Sequence, residues 1–571
     1  MMRKHLVAVV AAAAALLLVA GCGGTSGGSN AESTETTVDG SLNKVVVKGD
    51  PSKSPAKANG RKDTFIATIN SPSGVFLPGF NDNGWDGNAQ QPIFASLVVT
   101  DDSGQYIPDL AEKWDISSDQ LTYTFHLRDN LKFSDGSPLT ADDVAFSLTL
   151  FNDPAYSGGS DFSDIGIKGV DAYKSGKADS ISGIRVIDER TITIETTKAN
   201  PLTLGILGGQ VLSKAYYGKD YQRGHLDYLK DLYGKPLGAG PYKLSKYVDG
   251  QEVRYVANKY YYGGEPKIRN LIFKVTSKDT ALSNFQNGET DFDGFSPDKD
   301  NLDALKQLGF ASVRESTVPD MSEIWINNLK APFNDKRVRQ ALIYGLNRQQ
   351  IINVAYKGFG QVANVYAAPT QWSYTDKGVN KYKFDPDKAG KLLDEAGWKT
   401  GSDGIREKDG RKLTVRYLTS KDTDETIPIA TENYKAIGID FQPEVLDGDT
   451  IIERWTQGGD WDLVGGFRTN GLSDPNDAIS EFVSHDKSIN LTGYHNEEAD
   501  KLAKEGLSTQ DKTKRKAIYA ELYKVLNNDP PTIPLSYRQS ITAWNTRVKG
   551  VENYSTGNSD AALVLAKLSI E

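Results

Sequence analysis

The stretch EIWINNLKAPFNDKRVRQALIYGL, residues 323–346, places a predicted β-strand directly before a predicted α-helix. In the strand, residues 323–328, Ile324 and Ile326 alternate with other residues and are expected in the core. Asn334 is predicted to cap the helix, because a short polar side chain there can accept hydrogen bonds from the first turn. The apolar stripe of this helix consists of Val338, Ala341, Leu342 and Leu346.

Alternation predicts further strands on both sides of this stretch. It occurs over residues 121–127, 184–187, 191–194 and 412–417. The second and third of these are expected to form a hairpin around residues 188–190. With strands and helices intermixed along the chain, the fold class is predicted to be mixed α/β.

Two more helices carry clear boundary signals. Asp385 and Pro386 are expected to begin one helix, and Gly397 is expected to end it. Another is predicted near residues 511–527, before a Pro-Pro pair.

The composition excludes several classes of protein. The 571 residues are 38% apolar and 25% charged, as in a soluble globular protein. The formal net charge is −9 without a Lys/Arg-rich cluster, which argues against nucleic acid as a partner. One Cys and five His offer little for disulfides or a metal, so no metal and no cofactor are expected.

The N-terminus predicts export. Arg3 and Lys4 precede an uncharged apolar run, Leu6–Ala20, which suits a secretory signal better than a membrane span. The following Gly21-Cys22 completes a sequence that resembles the lipobox of bacterial lipoproteins. This predicts a signal peptide over residues 1–21 and a lipid on Cys22, with an ordinary signal peptide or an uncleaved anchor as alternatives.

Residues 22–61 are rich in Gly, Ser, Thr, Asn and Lys and poor in large apolar side chains. Such a segment buries too little surface to order itself, so it is predicted to be a flexible linker. It would let a membrane-tethered domain stand clear of the surface.

Four segments of the exported body resemble the family 5 extracellular solute-binding proteins of ATP-driven importers. Their motifs are IPDLAEKW (107–114) with KFSDGSPLTADDV (132–144), GAGPY (238–242), APFNDKRVRQA (331–341), and WDLVGGF (461–467) with Asp474-Pro475. They occur in the family's order and span nearly the whole exported body. The resemblance implies a binding protein without enzymatic activity, a monomer that delivers its solute to a permease and a separate ATPase.

The resemblance also implies two lobes of the type II (cluster C) periplasmic-binding-protein fold, joined by two crossing strands. One lobe is expected to comprise residues 62–318 and 535–571, with an inserted subdomain over 97–200. The other lobe is expected over 319–534, which places the hinges near Pro319 and Pro534.

Dipeptide and oligopeptide binders of this family hold an extended ligand between the lobes, so a peptide is the expected ligand. The implied ligand-binding residues are Asp82, Gly84, Trp85, Trp325, Asn327, Trp372, Gly466, Phe467, Arg468 and Asn470. Arg468 could meet a carboxylate or be a solvated charge at the rim.

The chain departs from oligopeptide-binding relatives in the loop that follows Phe467. In those relatives an aspartate here pairs with the ligand's α-ammonium group, whereas Asn470 or Gly471 falls at that place in this chain. Asp82 or Asp86 could replace that aspartate. The ligand could instead be an oligosaccharide, for which Trp85, Phe467 and Trp372 would be stacking surfaces.

Other functions leave weaker signals. The nickel binders of the same family suggest a nickel complex, although His485 and His495 lie ten residues apart. Residues 291–294, with sequence DFDG, faintly suggest a calcium loop but are better interpreted as an acidic turn. A secreted hydrolase with two carboxylates and a surface sensor that does not transport remain alternatives.

Overall fold

Most of the chain downstream of residue 42 is defined in the computed structural model. It describes residues 43–81, 83–101, 103–158, 162–163, 165–420, 424–469, 474–484 and 489–571. Cys22, Asp82, Asn470 and the predicted signal peptide therefore lie outside the described residues.

The strands, in chain order, are β1 (Asn43–Val47), β2 (Thr64–Ile69), β3 (Val98–Thr100), β4 (Tyr106–Pro108), β5 (Ala111–Ile116), β6 (Thr122–Leu127), β7 (Ile184–Asp188), β8 (Thr191–Glu195), β9 (Tyr242–Val248), β10 (Glu252–Ala257), β11 (Asn270–Val275), β12 (Phe292–Phe295), β13 (Ala311–Ile326), β14 (Gly360–Val362), β15 (Lys399–Thr400), β16 (Arg406–Lys408), β17 (Arg411–Lys412), β18 (Thr414–Thr419), β19 (Asp440–Val445), β20 (Leu463–Thr469), β21 (Thr532–Asn545), β22 (Val548–Lys549) and β23 (Ser569–Ile570).

The α-helices are α1 (Ala56–Asn59), α2 (Gly84–Gln90), α3 (Ala141–Phe151), α4 (Val170–Lys174), α5 (Thr203–Leu207), α6 (Lys214–Tyr217), α7 (Lys278–Gln286), α8 (Lys299–Gln307), α9 (Lys336–Tyr344), α10 (Arg348–Ala355), α11 (Pro386–Glu395), α12 (Thr426–Ala436), α13 (Gly448–Glu453), α14 (Asn476–Val483), α15 (Glu497–Ser508), α16 (Lys512–Asn528) and α17 (Ala561–Lys567). Residues 454–458 form a π-helical turn, and residues 51–53, 227–232 and 551–553 form 3-10 turns.

Two long strands run through the centre of a large mixed sheet. The sheet order is β19-β18-β20-β13-β21-β12-β2-β11-β10-β9. In addition, β1 pairs with β13 and β14 pairs with β21. On one side of the central β13–β21 pair lie β2 and β9–β12, here called the first lobe. On the other side lie β18–β20, here called the second lobe.

Separate hydrophobic cores lie in the two lobes. First-lobe cores include Phe65, Phe125 and Tyr255 in one cluster and Phe285 and Leu305 in another. Second-lobe cores cover both faces of the β18–β20 sheet: Ile324, Ile326 and Leu342 lie on one face, and Trp325 and Trp461 on the other.

The predicted strands are confirmed. In β6, Tyr123, Phe125 and Leu127 are buried and alternate with partly exposed residues. β7 and β8 form the expected antiparallel hairpin, and with β5 and β6 they make a separate sheet, order β5-β6-β8-β7, within residues 97–200. β18 begins at Thr414, two residues later than the pattern indicates.

The predicted helices are confirmed, with one shifted cap. Asp385 caps α11 by accepting from the backbone N–H of Lys388, and Asp511 caps α16 in the same way. The cap of α9 is Asp335 and not Asn334, so that prediction was wrong by one residue. A carboxylate next to an amide can supply the same acceptor, and the sequence pattern does not distinguish them.

The linker prediction was too long at its C-terminal end. β1 pairs antiparallel with β13, and Arg61 forms an ion pair with the buried Asp291. Composition does not predict that residues 43–61 are ordered, because the contacts that stabilise them come from residues more than 200 positions away in the chain.

Residues 291–294 are also not the expected acidic turn. Residues 292–295 form β12 inside the large sheet, and the buried Asp291 contacts Arg547 at 2.8 Å. An arginine distant in sequence makes a carboxylate tolerable in this interior position. Among the helices that the structure describes, none is long and apolar enough to cross a membrane.

Candidate ligand-binding cleft

The carboxyl ends of strands from both lobes converge on the middle of the crossing strands. β12 pairs with β21 and ends at Phe295, opposite Ile541. β20 pairs with β13 and ends at Thr469, opposite Asp320. Since ligands of open α/β sheets bind outside the carboxyl ends of the strands, this region is the candidate cleft.

The floor of the cleft contains an irregularity and an ion pair. Pairing between β13 and β21 shifts between Thr317 and Met321, so Pro319 lies in a bulge. Beside it, Arg538 of β21 contacts Asp320 of β13 at 3.1 Å, and Arg538 is 43% exposed. Pro319 therefore lies within the crossing strands, and the lobe boundaries with hinges near Pro319 and Pro534 stay a prediction.

The edge of β20 is open next to this floor. β13 pairs with β20 along its whole length, from Ile326–Leu463 to Asp320–Thr469. β18 pairs with it only at Leu463 and Val464. Among the described residues, segment 465–469 therefore has a strand neighbour on one side only, and its other edge can accept main-chain hydrogen bonds.

Asp86 organises the first-lobe wall. Its fully buried carboxylate accepts from the backbone N–H groups of Gly74 and Val75, at 2.8 and 3.2 Å, and from the side chains of Ser73 and Asn83. These contacts join the loop after β2 to the start of α2. Because donors of the protein occupy its acceptor sites, Asp86 has a structural role. It does not replace the aspartate that pairs with the ligand's α-ammonium group in oligopeptide-binding relatives.

Trp85 and Gly84 lie on the outside of this joined loop. Trp85 is 37% exposed, and its backbone N–H donates to the cap residue Asn83. A Cβ on Gly84 would meet no atom within 4 Å. Trp85 thus presents a flat apolar surface near the carboxyl end of β2.

In the second-lobe wall, Trp325 packs closely over β20. A Cβ on Gly466 would lie 2.1 Å from the Trp325 ring, so only glycine fits there. Trp325 is 5% exposed and lies against Trp455, with ring centroids 4.6 Å apart. Phe467 pairs with Ser322 through its backbone, and its side chain lies outside the described residues.

Arg468 is buried in an ion-pair network, so it is not a solvated rim charge. Its Nη2 lies 2.8 Å from Glu323, which is fully buried, and its Nη1 lies 2.9 Å from Glu481. Thr532 donates to the other oxygen of Glu323 at 2.8 Å, and the guanidinium lies 4.3 Å from the centre of the Phe482 ring. Burial raises the pKa of Glu323, while the charge of Arg468 opposes that rise.

Asn327 and Trp372 are held by the protein's own groups. The Asn327 side-chain amide donates to the carbonyl of Trp461 at 3.1 Å. The Trp372 ring has two cations over it, Lys512 at 5.2 Å and Arg515 at 5.3 Å.

The structure thus brings Trp325, Gly466 and Arg468 together on one face of β13 and β20. The sequence predictions missed Glu323, Glu481 and the Asp320–Arg538 pair. Glu323 left a signal, since it directly precedes the apolar run Ile324–Ile326, and a charge buried beside such a run needs a partner. Within the described ranges, no three His, Cys, Asp or Glu side chains form a metal site.

Two lobes joined by a pair of long crossing strands form the architecture of a binding protein that can open and close around a ligand. The chain belongs to the bacterial extracellular solute-binding proteins, family 5, whose model matches residues 105–490. This confirms the resemblance and the fold class inferred from the motifs.

Relatives share low identity over most of the chain. Oligopeptide-binding protein AppA of Bacillus subtilis is 27% identical, over 87% of this chain and 90% of its own. Heme-binding protein A of Haemophilus influenzae is 28% identical with the same coverage. The solved structure of lactococcal OppA, complexed with an endogenous peptide in the closed conformation, matches with a TM-score of 0.73 at 25% identity, over 89% of this chain and 99% of its own.

Proposed function

We propose that this chain captures short peptides in the cleft and delivers them to the permease of an ATP-driven importer. The open edge of β20 at the cleft carries the proposal, because an extended peptide can add there as a strand. Main-chain hydrogen bonds then supply affinity for many sequences. The likeness to the oligopeptide-binding proteins supports the same ligand class.

The walls of the cleft are proposed to act differently on the ligand. Trp85 and the backbone of Gly466, Phe467 and Arg468 would contact it from opposite sides. Gly84 would leave room beside Trp85. The buried or covered residues, Trp325, Asn327 and Trp372, would shape the wall from behind, and Asp82 and Asn470 remain proposed contacts.

Closure is proposed to pivot at the crossing strands. Open and closed forms interconvert, and a ligand that contacts both lobes favours the closed form. A second contact between the lobes lies beside the pivot: Lys357 is 3.8 Å from Asp298, and Phe359 packs against the first-lobe cluster of Phe285 and Leu305. The closed form would dock on the permease, while a separate ATPase supplies the energy.

The compartment follows from the N-terminal motif. We infer cleavage after residue 21, a lipid on Cys22 and a monomer tethered to the outer face of the bacterial cytoplasmic membrane. A lipid anchor needs two acyl signals for stable attachment, and a lipoprotein cysteine supplies more than one chain. Because β1 begins at Asn43, the segment proposed as the linker is shortened to residues 22–42.

Native mass spectrometry of residues 23–571, purified without refolding, tests the ligand class. We expect a series of bound masses that fragment into short peptides. A bound sugar, heme or nickel complex, or an empty protein that ignores peptide mixtures, would overturn the peptide proposal. Sodium dodecyl sulfate extraction of the full chain and mass analysis of its N-terminal peptide tests the lipid on Cys22.

A further inference from the structure

A short turn of the second lobe reaches across to the first lobe beside the crossing strands. The turn, residues 356–359, connects α10 to β14, and Ile351 of α10 lies in a second-lobe core. Lys357 and Gly358 have positive φ values of 49° and 85°, which reverse the chain there. Phe359 follows them and packs against the smaller of the two first-lobe core clusters.

This contact and the cleft wall lie on opposite faces of the first-lobe sheet. Along β12, Phe292 belongs to the larger first-lobe cluster, whereas Phe295 belongs to the smaller one. Residues three positions apart on a strand point to opposite faces, so the two clusters lie on opposite sides of the sheet. The helix α2, which carries Trp85, packs on the larger cluster through Ala89. Phe359 packs on the smaller cluster and therefore contacts the first lobe from behind the cleft.

An ion pair accompanies the packing of Phe359. The Nζ of Lys357 lies 3.8 Å from the Oδ2 of Asp298, in the loop between β12 and α8. The Asp298 carboxylate also accepts from the backbone N–H of Asn301 at 2.8 Å, which fixes it at the start of α8. A direct charge-assisted hydrogen bond measures about 2.8 Å, so this pair can tighten when the two surfaces approach. The packing of Phe359 and this ion pair are here called the rear contact.

Closure moves the two sides of the pivot in opposite directions. When two rigid lobes rotate about crossing strands, the surfaces on one side approach and those on the other side separate. A ligand that draws the cleft walls together therefore separates the surfaces behind the cleft. Phe359 and Lys357 then lose contact with the first lobe, whereas the open form keeps the rear contact.

We infer that the rear contact favours the open form and thereby lowers the affinity of the cleft for peptides. This inference rests on the proposed function, because it concerns the regulation of the same cleft. The turn at residues 356–359 touches no ligand. Its effect is on the fraction of the protein that closes, and the apparent affinity scales with that fraction. Because the rear contact forms again on opening, it also assists release of the peptide.

The test measures peptide affinity and lobe separation in residues 23–571, which contain no cysteine because the only one in the chain is Cys22. Affinities come from titrations of intrinsic tryptophan fluorescence with a synthetic pool of short mixed-sequence peptides. Pulsed electron spin resonance measures the distance between spin labels on two introduced cysteines, Lys246→Cys in the first lobe and Glu432→Cys in the second. Both positions are exposed.

The variants remove the rear contact in steps. They are Phe359→Ala, Phe359→Leu and Lys357→Gln. The matched control is Leu392→Ala on α11, because Leu392 is also partly buried but packs against the core of its own lobe. Thermal unfolding of each variant checks its fold.

We expect Phe359→Ala to bind the peptide pool about tenfold more tightly, which corresponds to about 1.4 kcal/mol of packing lost from the open form. Its label distances without ligand should shift toward those of the ligand-saturated protein. Phe359→Leu should keep most of the contact and show a smaller gain. Lys357→Gln should gain about twofold or less, since the Lys357 side chain is 64% exposed. Leu392→Ala should change neither affinity nor distance.

Three results would overturn the inference while the proposed function stands: unchanged or weaker binding by Phe359→Ala, an equal gain in Leu392→Ala, or tighter binding without any shift in the ligand-free distances. Binding of no peptide by the unaltered protein would overturn the proposed function, and the inference with it.

Discussion

The two walls of the cleft hold their buried carboxylates by different means. In the first lobe, Asp86 is satisfied by neutral donors that lie 3 to 13 residues away in the chain. In the second lobe, Glu323 is satisfied by Arg468 and Thr532, which are 145 and 209 residues away. The first wall is thus a local loop motif, while the second wall exists only once distant strands have paired.

This difference predicts how each wall fails. Loss of the Asp86 carboxylate leaves only neutral donors without their acceptor, and these donors are at least partly exposed and can turn toward water. Loss of a buried cation leaves a charge that water cannot reach, which costs much more. The variants below test this contrast, from the largest expected effect to the smallest.

Arg468→Met should destabilise the protein most. It removes the guanidinium and leaves Glu323 charged and fully buried, which costs about 3–5 kcal/mol in the free energy of unfolding. Denaturant unfolding measures the change. In the matched control, Arg454→Met, the lost ion pair with Glu444 is about one-third exposed, so the expected cost is about 1 kcal/mol or less. Equal losses in the two variants would show that burial of Glu323 does not set the cost of losing its cation.

Asp86→Ala should cost less, about 2 kcal/mol, because only hydrogen bonds from neutral groups are lost. Its loop should also loosen, which limited proteolysis at residues 71–75 would detect. The control is Asp101→Ala, which removes a carboxylate that accepts from nearby backbone N–H groups in the exposed β3–β4 turn. That variant should change stability by about 0.5 kcal/mol or less. An Asp86→Ala protein as stable and protease-resistant as wild type would show that the wall does not depend on this carboxylate.

Asp293→Asn should stabilise the protein at neutral pH. Asp293 on β12 accepts from the Thr68 hydroxyl, its second oxygen is buried without a partner, and burial raises its pKa from 3.8 to about 6. The folded state therefore binds this proton more tightly than the unfolded chain, and ionisation lowers stability as pH rises. The gain from asparagine should be small at pH 4 and approach about 3 kcal/mol by pH 7, because a shift of about 2 pKa units corresponds to about 3 kcal/mol.

Unfolding free energies across that pH range measure the effect. A gain that is the same at pH 4 and pH 7 would mean that ionisation of Asp293 is not its source. A loss at both pH values would show that the Thr68 contact needs the carboxylate.

Trp85→Ala should leave stability nearly unchanged, since more than a third of the side chain is exposed. Its effect should be on peptide affinity, with a loss of about tenfold for an aromatic contact in the cleft. Phe384→Ala is the control, because Phe384 is similarly exposed at 41% and lies just before α11. Equal affinity in wild type and Trp85→Ala would remove Trp85 from the cleft.

The sequence predicted the features that depend on near neighbours. Alternation located β6, and an Asp-Pro pair located the start of α11, because both patterns arise within a few residues. The burial of Arg468 was not predictable in this way, since its partners come from β13 and α14. The ordered structure of residues 43–61 was not predicted for the same reason, because β1 depends on β13 for its hydrogen bonds.

The family motifs predicted the fold correctly, but they predicted the contacts inside the cleft less well. Trp325 and Asn327 were expected on the cleft side because they alternate with Ile324 and Ile326. The opposite face of that strand is instead covered by Trp455 and by the carbonyl of Trp461. A period of two separates the faces of a strand, but it does not show whether a second layer covers the other face.

The central claim is that ligand binds where the strand ends of the two lobes meet the crossing strands. Hydrogen–deuterium exchange, with and without the peptide recovered by native mass spectrometry, tests it most directly. The account predicts slower exchange at residues 71–75, 465–469 and 538–540 together, because one peptide contacts both walls and the floor. Protection confined to one lobe, or centred on the separate sheet of the inserted subdomain, would contradict it.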